Sequence, residues 1–348
     1  MFWIMGGFEL LAALGGVLGF ANAAAALDHA PWHGLHLMDV VFPLFLFLAG
    51  VSFVFSAAKS RERGLSDGAI ALRALRRGAI LFALGILYGD LLTVGFAHFR
   101  VWSVLGRIGV AWTLAAWLYL AFGTKARLWI AAAILAAVTV FTVFVVAPGA
   151  PVGADPFSRE WNFGSWMDRT FTTNHNVYWM SDPEGFSGLL PSVVTTMLGM
   201  FAGEIVRAGG AAATARKALR LLFAGAACGA LGAAVACVFP INKALWSPSF
   251  VLVVGGISFA LFALFYWTVD VKGWTGWAFA FRVIGLNSIT IYLLTHFVDF
   301  KRTSEMVFGG CAAAVPAVWG PVVIWTGYIA ICWLILHFLY RHKAFLKV

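Results

Sequence analysis

The sequence predicts an all-α protein, a polytopic membrane helix bundle of about ten transmembrane helices. Three observations lead there. Of 348 residues, 62% are hydrophobic and only 11% are charged, against about 45–50% and about 25% in an ordinary soluble domain. The 32 Phe and 16 Trp exclude a polar, disordered chain. The charges fall in short clusters between apolar runs of about 20 residues, the length that crosses a bilayer. Four widely separated cysteines in or beside those runs exclude a disulfide-knit scaffold and read as small core residues. A net charge of +9 is compatible with nucleic acid. Its distribution instead suits loops that orient a membrane protein, so a lipid bilayer and no nucleic acid is the expected surrounding.

The runs occupy residues 2–26, 38–58, 78–97, 103–122, 128–147, 187–206, 219–239, 249–269, 281–299 and 318–340. The first lacks a basic leader and carries Glu9 and several glycines, so it reads as a retained span rather than a signal peptide. The second opens on Asp39 and ends at the basic residues Lys59, Arg61 and Arg63; the third follows Arg73, Arg76 and Arg77. Lys125 and Arg127 separate the fourth from the fifth. Between the fifth and sixth lies the longest polar stretch, 148–186, with Pro148, Pro151 and Pro156 near its start and several tryptophans. A loop of that length is more often functional than a spacer. Arg207, Arg216, Lys217 and Arg220 lie between the sixth and seventh spans, Lys272 and Arg282 between the eighth and ninth, and Arg341, Lys343 and Lys347 close the chain.

Those clusters put 17 of the 24 basic residues on one face. The positive-inside rule then makes both termini cytoplasmic and the 148–186 loop extracytoplasmic. Neither a linker nor a composition break appears, so residues 1–348 read as one transmembrane domain. The Gly-xxx-Gly spacings at Gly15/Gly19, Gly199/Gly203 and Gly225/Gly229 permit close helix contact, first within the bundle and second between two copies in a homodimer.

Ionisable groups inside the apolar runs are few: Glu9, Asp39, Asp90, Arg107, Glu204 and His296. Such groups are costly at membrane depth and face a cavity or a partner. The first outer loop is the richest segment, with Asp28, His29, His33, His36 and Asp39 inside twelve residues. Three readings stand on these residues alone: general-base catalysis by one His beside a carboxylate, a metal site, or an interfacial loop. A metal site is disfavoured because no Cys accompanies the histidines and Pro31 disrupts helical presentation. Further polar tracts are Asp182-Pro-Glu184-Gly185, which reads as a turn before the sixth span, Asn242-Lys243 with Trp246 between the seventh and eighth, and Asn287-Ser288 in the ninth. No phosphate-cradling glycine loop or nucleophile elbow occurs.

Taken in order, those tracts resemble a known family. His29-Ala-x-Trp32-x-Gly34 is followed by Asp39-x-x-Phe42-Pro43-x-Phe45-x-Phe47-x-x-Gly50-Val51-Ser52, then Arg100-Val-x-Ser-Val-Leu-Gly106-Arg107-Ile and Asp182-Pro-Glu184-Gly185. Ile241-Asn242-Lys243-x-Leu-Trp246-x-x-Ser249-Phe250 and Arg282-Val-Ile-Gly285-x-Asn287-Ser288 complete the series. The chain is similar, over nearly its whole length, to the heparan-α-glucosaminide N-acetyltransferase family, and most closely to its bacterial DUF5009 branch. Two departures accompany the likeness. The family's Leu-Asp-x-x-Arg-Gly segment before the first span is not found here, and Phe8-Glu9 occupies the neighbourhood where the lysosomal branch carries an Asn.

The resemblance implies a transmembrane acyltransferase of the bacterial inner membrane. Acetyl-CoA on the cytoplasmic side would be the acyl donor, and an amino sugar or related envelope glycan on the outer side the acceptor. His29 matches the family's active His, with Asp39 as the orienting or charge-stabilising group. Arg107, Asn242, Lys243, Trp246, Asn287, Asp182 and Glu184 are the implied substrate or acetyl-CoA contacts, and no metal is implied. The competing reading is a secondary transporter or glycan-lipid flippase using the same polar groups. It is disfavoured because the two halves of the sequence show no convincing repeat.

Overall fold

The computed structural model describes residues 1–20, 27–91, 95, 100–171, 182–210 and 212–346, with the Asp90 side chain outside that set. Among these residues helix is the regular structure; the only strand-like feature is one isolated bridge between Val146 and Asn162. The all-α expectation is met. Seven helical stretches are long and apolar enough to cross a membrane: Leu37–Glu62, Val104–Ala121, Thr124–Phe144, Phe186–Arg207, Ala215–Ala236, Pro248–Val271 and Ala317–Arg341. An eighth is added if Ala278–Leu286 and Ser288–Phe297, bent by 72° at Asn287, count as one span.

Ten spans are therefore not confirmed among the described residues, and the two shortfalls have physical causes. The first expected span contains only a short apolar helix, Trp3–Val17. The third, expected at 78–97, is displaced toward the N-terminus. Its helix runs Asp67–Ile86 and takes Arg73, Arg76 and Arg77 into its own length.

The chain divides into two compact units. The larger comprises Ala30–Leu35 and Asp39–Val271. Its helices are α2 (Leu37–Glu62), α3 (Asp67–Ile86), α4 (Val104–Ala121), α5 (Thr124–Phe144), α6 (Phe163–Phe171), α7 (Leu189–Arg207), α8 (Ala215–Ala236) and α9 (Pro248–Phe265), following α1 (Phe8–Val17) of the other unit. Their starts are set by ordinary capping: Ser66, Ser103, Thr214 and Ser247 each accept a first-turn amide. The core is Phe47, Leu46, Val54, Met197, Met200, Phe250 and Val254, all fully enclosed.

Small residues bring helix backbones together in this unit. A Cβ on Gly199 would collide with the Phe47 carbonyl, and one on Gly50 with the Thr196 carbonyl, so α2 and α7 meet backbone to backbone. Gly225 and Gly256 do the same for α8 and α9. Two of the three Gly-xxx-Gly pairs are thus engaged inside the unit.

The smaller unit comprises Met1–His29, His36–Met38 and Lys272–Val348. It holds α1, α10 (Ala278–Leu286), α11 (Ser288–Phe297), α12 (Phe300–Ala313) and α13 (Gly320–Arg341) around Met5, Val283, Ile291, Cys332 and Leu336.

Candidate active site

Polar groups in the larger unit converge at one end of its long helices. Asp39 sits in the first turn of α2 at 1% exposure, where the helix dipole favours a carboxylate. Its Oδ2 accepts the Ala30 N–H at 3.2 Å, and its Oδ1 lies 3.7 Å from the Lys243 ammonium. Burial works against the charge on Lys243, while Glu184 and Asp39 support it; the balance leaves the ammonium below its ordinary value.

Lys243 belongs to the 240–249 turn, which its own side chains hold rigid. Asn242 N–H donates to Ser247 Oγ at 3.0 Å and Ser247 N–H returns to the Asn242 carbonyl at 3.0 Å. Trp246 adopts φ +50°, a left-handed conformation that costs a residue with a Cβ about 1–2 kcal/mol. The turn retains it because the indole donates to Thr195 Oγ1 at 3.1 Å and packs edge-on against Phe42 and Phe250.

Asn242 fixes a tautomer. Its Oδ1 accepts the Leu245 N–H at 2.9 Å, so its Nδ2 is the donor facing His33 Nδ1 at 3.3 Å. A neutral His33 whose Nδ1 accepts carries its proton on Nε2. Partial burial lowers the His33 pKa, with Asp155 pulling the other way, so the neutral form is favoured. His33 therefore presents an N–H donor rather than a base.

Arg107, in the first turn of α4, is fully enclosed. Its Nη2 donates to the Gly185 carbonyl at 2.6 Å, and its Cζ lies 5.0 Å from the centre of the Trp246 ring. The guanidinium also presses on Gly188, where a Cβ would stand 2.7 Å from both terminal nitrogens. Nε and Nη1 of this buried cation have no hydrogen-bond partner among the described residues.

The 182–188 turn is secured from two sides. Arg100 bridges Asp182 and Glu184, reaching Glu184 at 2.5 Å. Glu184 is buried, which favours its neutral form, but Arg100, Lys243 and Arg107 outweigh this and hold the carboxyl below its ordinary range. From the other side, Asp168 of α6 accepts the Ser187 hydroxyl at 2.9 Å and the Ser187 N–H at 3.2 Å. Burial pushes Asp168 up to about 6, against these hydrogen bonds and Arg107.

The segment that opens the 148–186 loop docks on the first outer loop. Trp32 Nε1 donates to the Phe157 carbonyl at 2.8 Å, and Arg159 lies over the Trp32 ring while donating to the Pro31 carbonyl. Gly34 N–H donates to the Ile241 carbonyl at 2.8 Å.

Of the residues singled out in the sequence, the larger unit brings together Asp39, Arg107, Asp182, Glu184, Asn242, Lys243 and Trp246. His29 and Asn287 belong to the smaller unit. There His29 is exposed and donates its N–H to Asp28 Oδ1 at 2.7 Å. Asn287 is 2% exposed at the bend between α10 and α11, and neither amide atom has a hydrogen-bond partner among the described residues.

Sequence reasoning gave no role to Asp168, Ser187 or Arg100, and it weighed His33 only as one of three neighbouring histidines. Arg100 stands inside a quoted tract, but only the fold shows that it clamps two carboxylates 82 and 84 residues away. No cluster of three His, Cys, Asp or Glu suited to a metal occurs among the described residues. An apolar cavity of about 470 Å³ lies elsewhere, between α8 and α9, bordered by Ala218, Leu222, Ala263 and Trp267.

Comparison with known proteins gives a consistent direction. No family model matches the chain, so the DUF5009 branch is not supported by that comparison. The chain is 27% identical over 321 residues to human heparan-alpha-glucosaminide N-acetyltransferase, covering 76% of this chain and 48% of the human protein. It is 26% identical over 330 residues to the mouse protein of the same name, with the same coverages. The chain spans about half the length of these curated relatives. It is similar to the family that its ordered tracts resemble.

Proposed function

We propose that this chain is a transmembrane acetyltransferase that moves an acetyl group from acetyl-CoA to the amine of an amino sugar or related envelope glycan. The observation that carries the reading is the enclosed polar cluster of the larger unit. Asp39, Lys243, Glu184, Arg100 and Arg107 are gathered among helices that are otherwise apolar, and all five stand in the tracts on which the family resemblance was drawn. Burying ionisable groups beside membrane-spanning helices is costly, and such groups mark functional sites.

The chemistry needs a base for the acceptor amine, a fixed position for the thioester, and donors for the oxyanion. His29 is assigned as the base or the acetyl carrier on the family resemblance. Asp39 anchors the amide of Ala30, the residue that follows His29 in the chain. In direct transfer the amine nitrogen attacks the thioester carbon, His29 takes the amine proton, the tetrahedral oxyanion collapses, and the CoA thiolate leaves and is protonated. Positioned N–H donors lower such a barrier most when water is excluded. The largely buried Lys243 ammonium suits that requirement, His33 Nε2–H is a further donor at the exposed edge of the cluster, and Glu184 and Asp182 keep the neighbouring cations from repelling one another.

The basic asymmetry supports cytoplasmic termini in a bacterial inner membrane, with acetyl-CoA arriving from the cytoplasm. The test is transfer of labelled acetyl from acetyl-CoA by the purified, reconstituted protein to a panel of amino sugars. Labelled N-acetyl product supports the reading. Substrate movement across the bilayer without any acetylated product would favour the transporter alternative.

A further inference from the structure

The basic residues assigned to membrane orientation are not equivalent once the larger unit is folded. Lys217 donates from Nζ to the carbonyls of Gly210 and Ala212 at 2.6 and 3.0 Å, and Arg127 is enclosed and paired with Glu204. Arg61 is paired with Asp67. Arg73, Arg76 and Arg77 of α3 are different. All three side chains are exposed, and the spacing i, i+3, i+4 places them on one flank of the helix.

That flank borders the buried face of Ile70, Ala74, Gly78, Leu81 and Gly85, which packs against α4. Leu72 and Leu75, at 66% and 44% exposure, lie on the opposite flank and suit lipid. The arginine flank ends on an aromatic wall. Arg77 Cζ lies 4.8 Å from the centre of the Trp112 ring, and Phe53 stands edge-on between Trp112 and Tyr119 at 5.5 Å from each.

Depth gives this arrangement its meaning. Trp112 is about midway along the membrane-spanning helix α4 and only five residues beyond Arg107, which is about 8 Å along the axis. Orientation by the positive-inside rule needs cations in loops near the membrane surface. It does not need three guanidinium groups aligned on one helix flank, the innermost level with mid-span. Exposed guanidinium groups at that depth require a polar lining or a polar ligand.

We propose that the Arg73, Arg76 and Arg77 flank of α3, closed at its inner end by Trp112, is a binding site for phosphoryl groups. Arginine forks match phosphate oxygens bidentately. This assignment rests on the acetyl-CoA reading above, under which the phosphates are those of the CoA nucleotide and the pantetheine arm extends along α4 toward the level of Arg107. The same chemistry serves a phosphatidylglycerol headgroup.

The test reconstitutes the full chain into nanodiscs of neutral phosphatidylcholine and measures CoA binding by calorimetry. Phosphatidylglycerol retention is measured separately in mixed-lipid discs. Two variants are compared with wild type, R73Q/R76Q/R77Q and R73K/R76K/R77K. The Lys variant preserves orientation and carries the test alone if cysteine accessibility shows the Gln variant misinserted. Each lost Arg–phosphate pair is worth about tenfold, so CoA affinity should fall about 100-fold or more in the Gln variant. The Lys variant, with charge but no fork, should lose about tenfold. Lost phosphatidylglycerol retention with unchanged CoA binding assigns the same phosphoryl site to lipid. A wild type that binds no CoA overturns the donor reading itself. A wild type that binds CoA, with both variants matching it in CoA affinity and in lipid retention, overturns the site alone.

Discussion

Gly188 offers a test of the cluster's geometry that removes no functional group. Its backbone, φ −79° and ψ 0°, is open to any residue, so Gly188→Ala adds one Cβ and nothing else. That Cβ would stand 2.7 Å from Arg107 Nη1 and Nη2, against 3.4 Å for ordinary contact. The guanidinium must therefore shift by about 0.7 Å, obtained by subtracting the two distances. It is enclosed on all sides, with Trp246 tied to Thr195 above its plane, so no open space receives it.

Overpacking of this kind costs about 1–3 kcal/mol, and disturbing the charged hydrogen bond to the Gly185 carbonyl adds about 1.5–3 kcal/mol. The variant should lose about 3–6 kcal/mol of stability, and acetyl transfer should fall about 100-fold, as for a misplacement approaching 1 Å. Reversible unfolding in mixed micelles measures the first quantity and labelled acetyl transfer the second. Gly229→Ala in α8 is the control, since its Cβ meets nothing within 4 Å and alanine favours helix by about 0.5–1 kcal/mol. A Gly188→Ala protein with wild-type stability and turnover would refute the packing of Arg107 described here.

Three further outcomes follow from the same geometry. Lys243→Met should cost about 3–5 kcal/mol by leaving Asp39 without its adjacent cation, the usual effect of breaking a buried pair; chemical unfolding in micelles checks this, and an unchanged midpoint counts against the pairing. Asn242→Ala should free the His33 tautomer, and because it also strips the Leu245 N–H of its buried acceptor it should cost about 1–3 kcal/mol of stability; an imidazole nitrogen NMR shift moving away from the Nε2–H form is expected, and an unmoved shift contradicts the assigned donor. Asp168, raised from its ordinary 3.8 to about 6, binds a proton more readily folded than unfolded. Its contribution to stability is therefore fully present below about pH 4 and lost as pH rises through about 6, on the order of 3 kcal/mol in all. Asp168→Asn should flatten the stability profile across that window, and an unaltered slope would disprove the assignment.

The helical architecture was legible because membrane solvation is a composition-level constraint: apolar runs of sufficient length have few alternatives to helix. The span count was less so. Arg73, Arg76 and Arg77 read as a loop because charge normally marks the membrane surface, yet they lie within α3. The site was half legible. Asp39, Lys243, Asn242 and Glu184 stand in conspicuous polar tracts, and the fold gathers them. The partners that give them direction come from remote segments that carry no local signal. Arg100 reaches the 182–184 turn, Asp168 reaches Ser187, and Asn242 reaches His33 across 209 residues. The His33 contact was not legible because sequence shows a histidine but not which ring nitrogen accepts.

The account rests most heavily on His29, and one measurement addresses it directly. Labelled acetyl transfer to glucosamine is compared for wild type and His29→Ala in reconstituted vesicles, with CoA binding measured on the same preparations. Loss of a positioned base costs about 10²–10⁴-fold in rate. The account predicts a loss of that size with folding and CoA binding preserved, and a smaller loss in Asp39→Asn. A folded His29→Ala protein that transfers acetyl at near wild-type rate would contradict it.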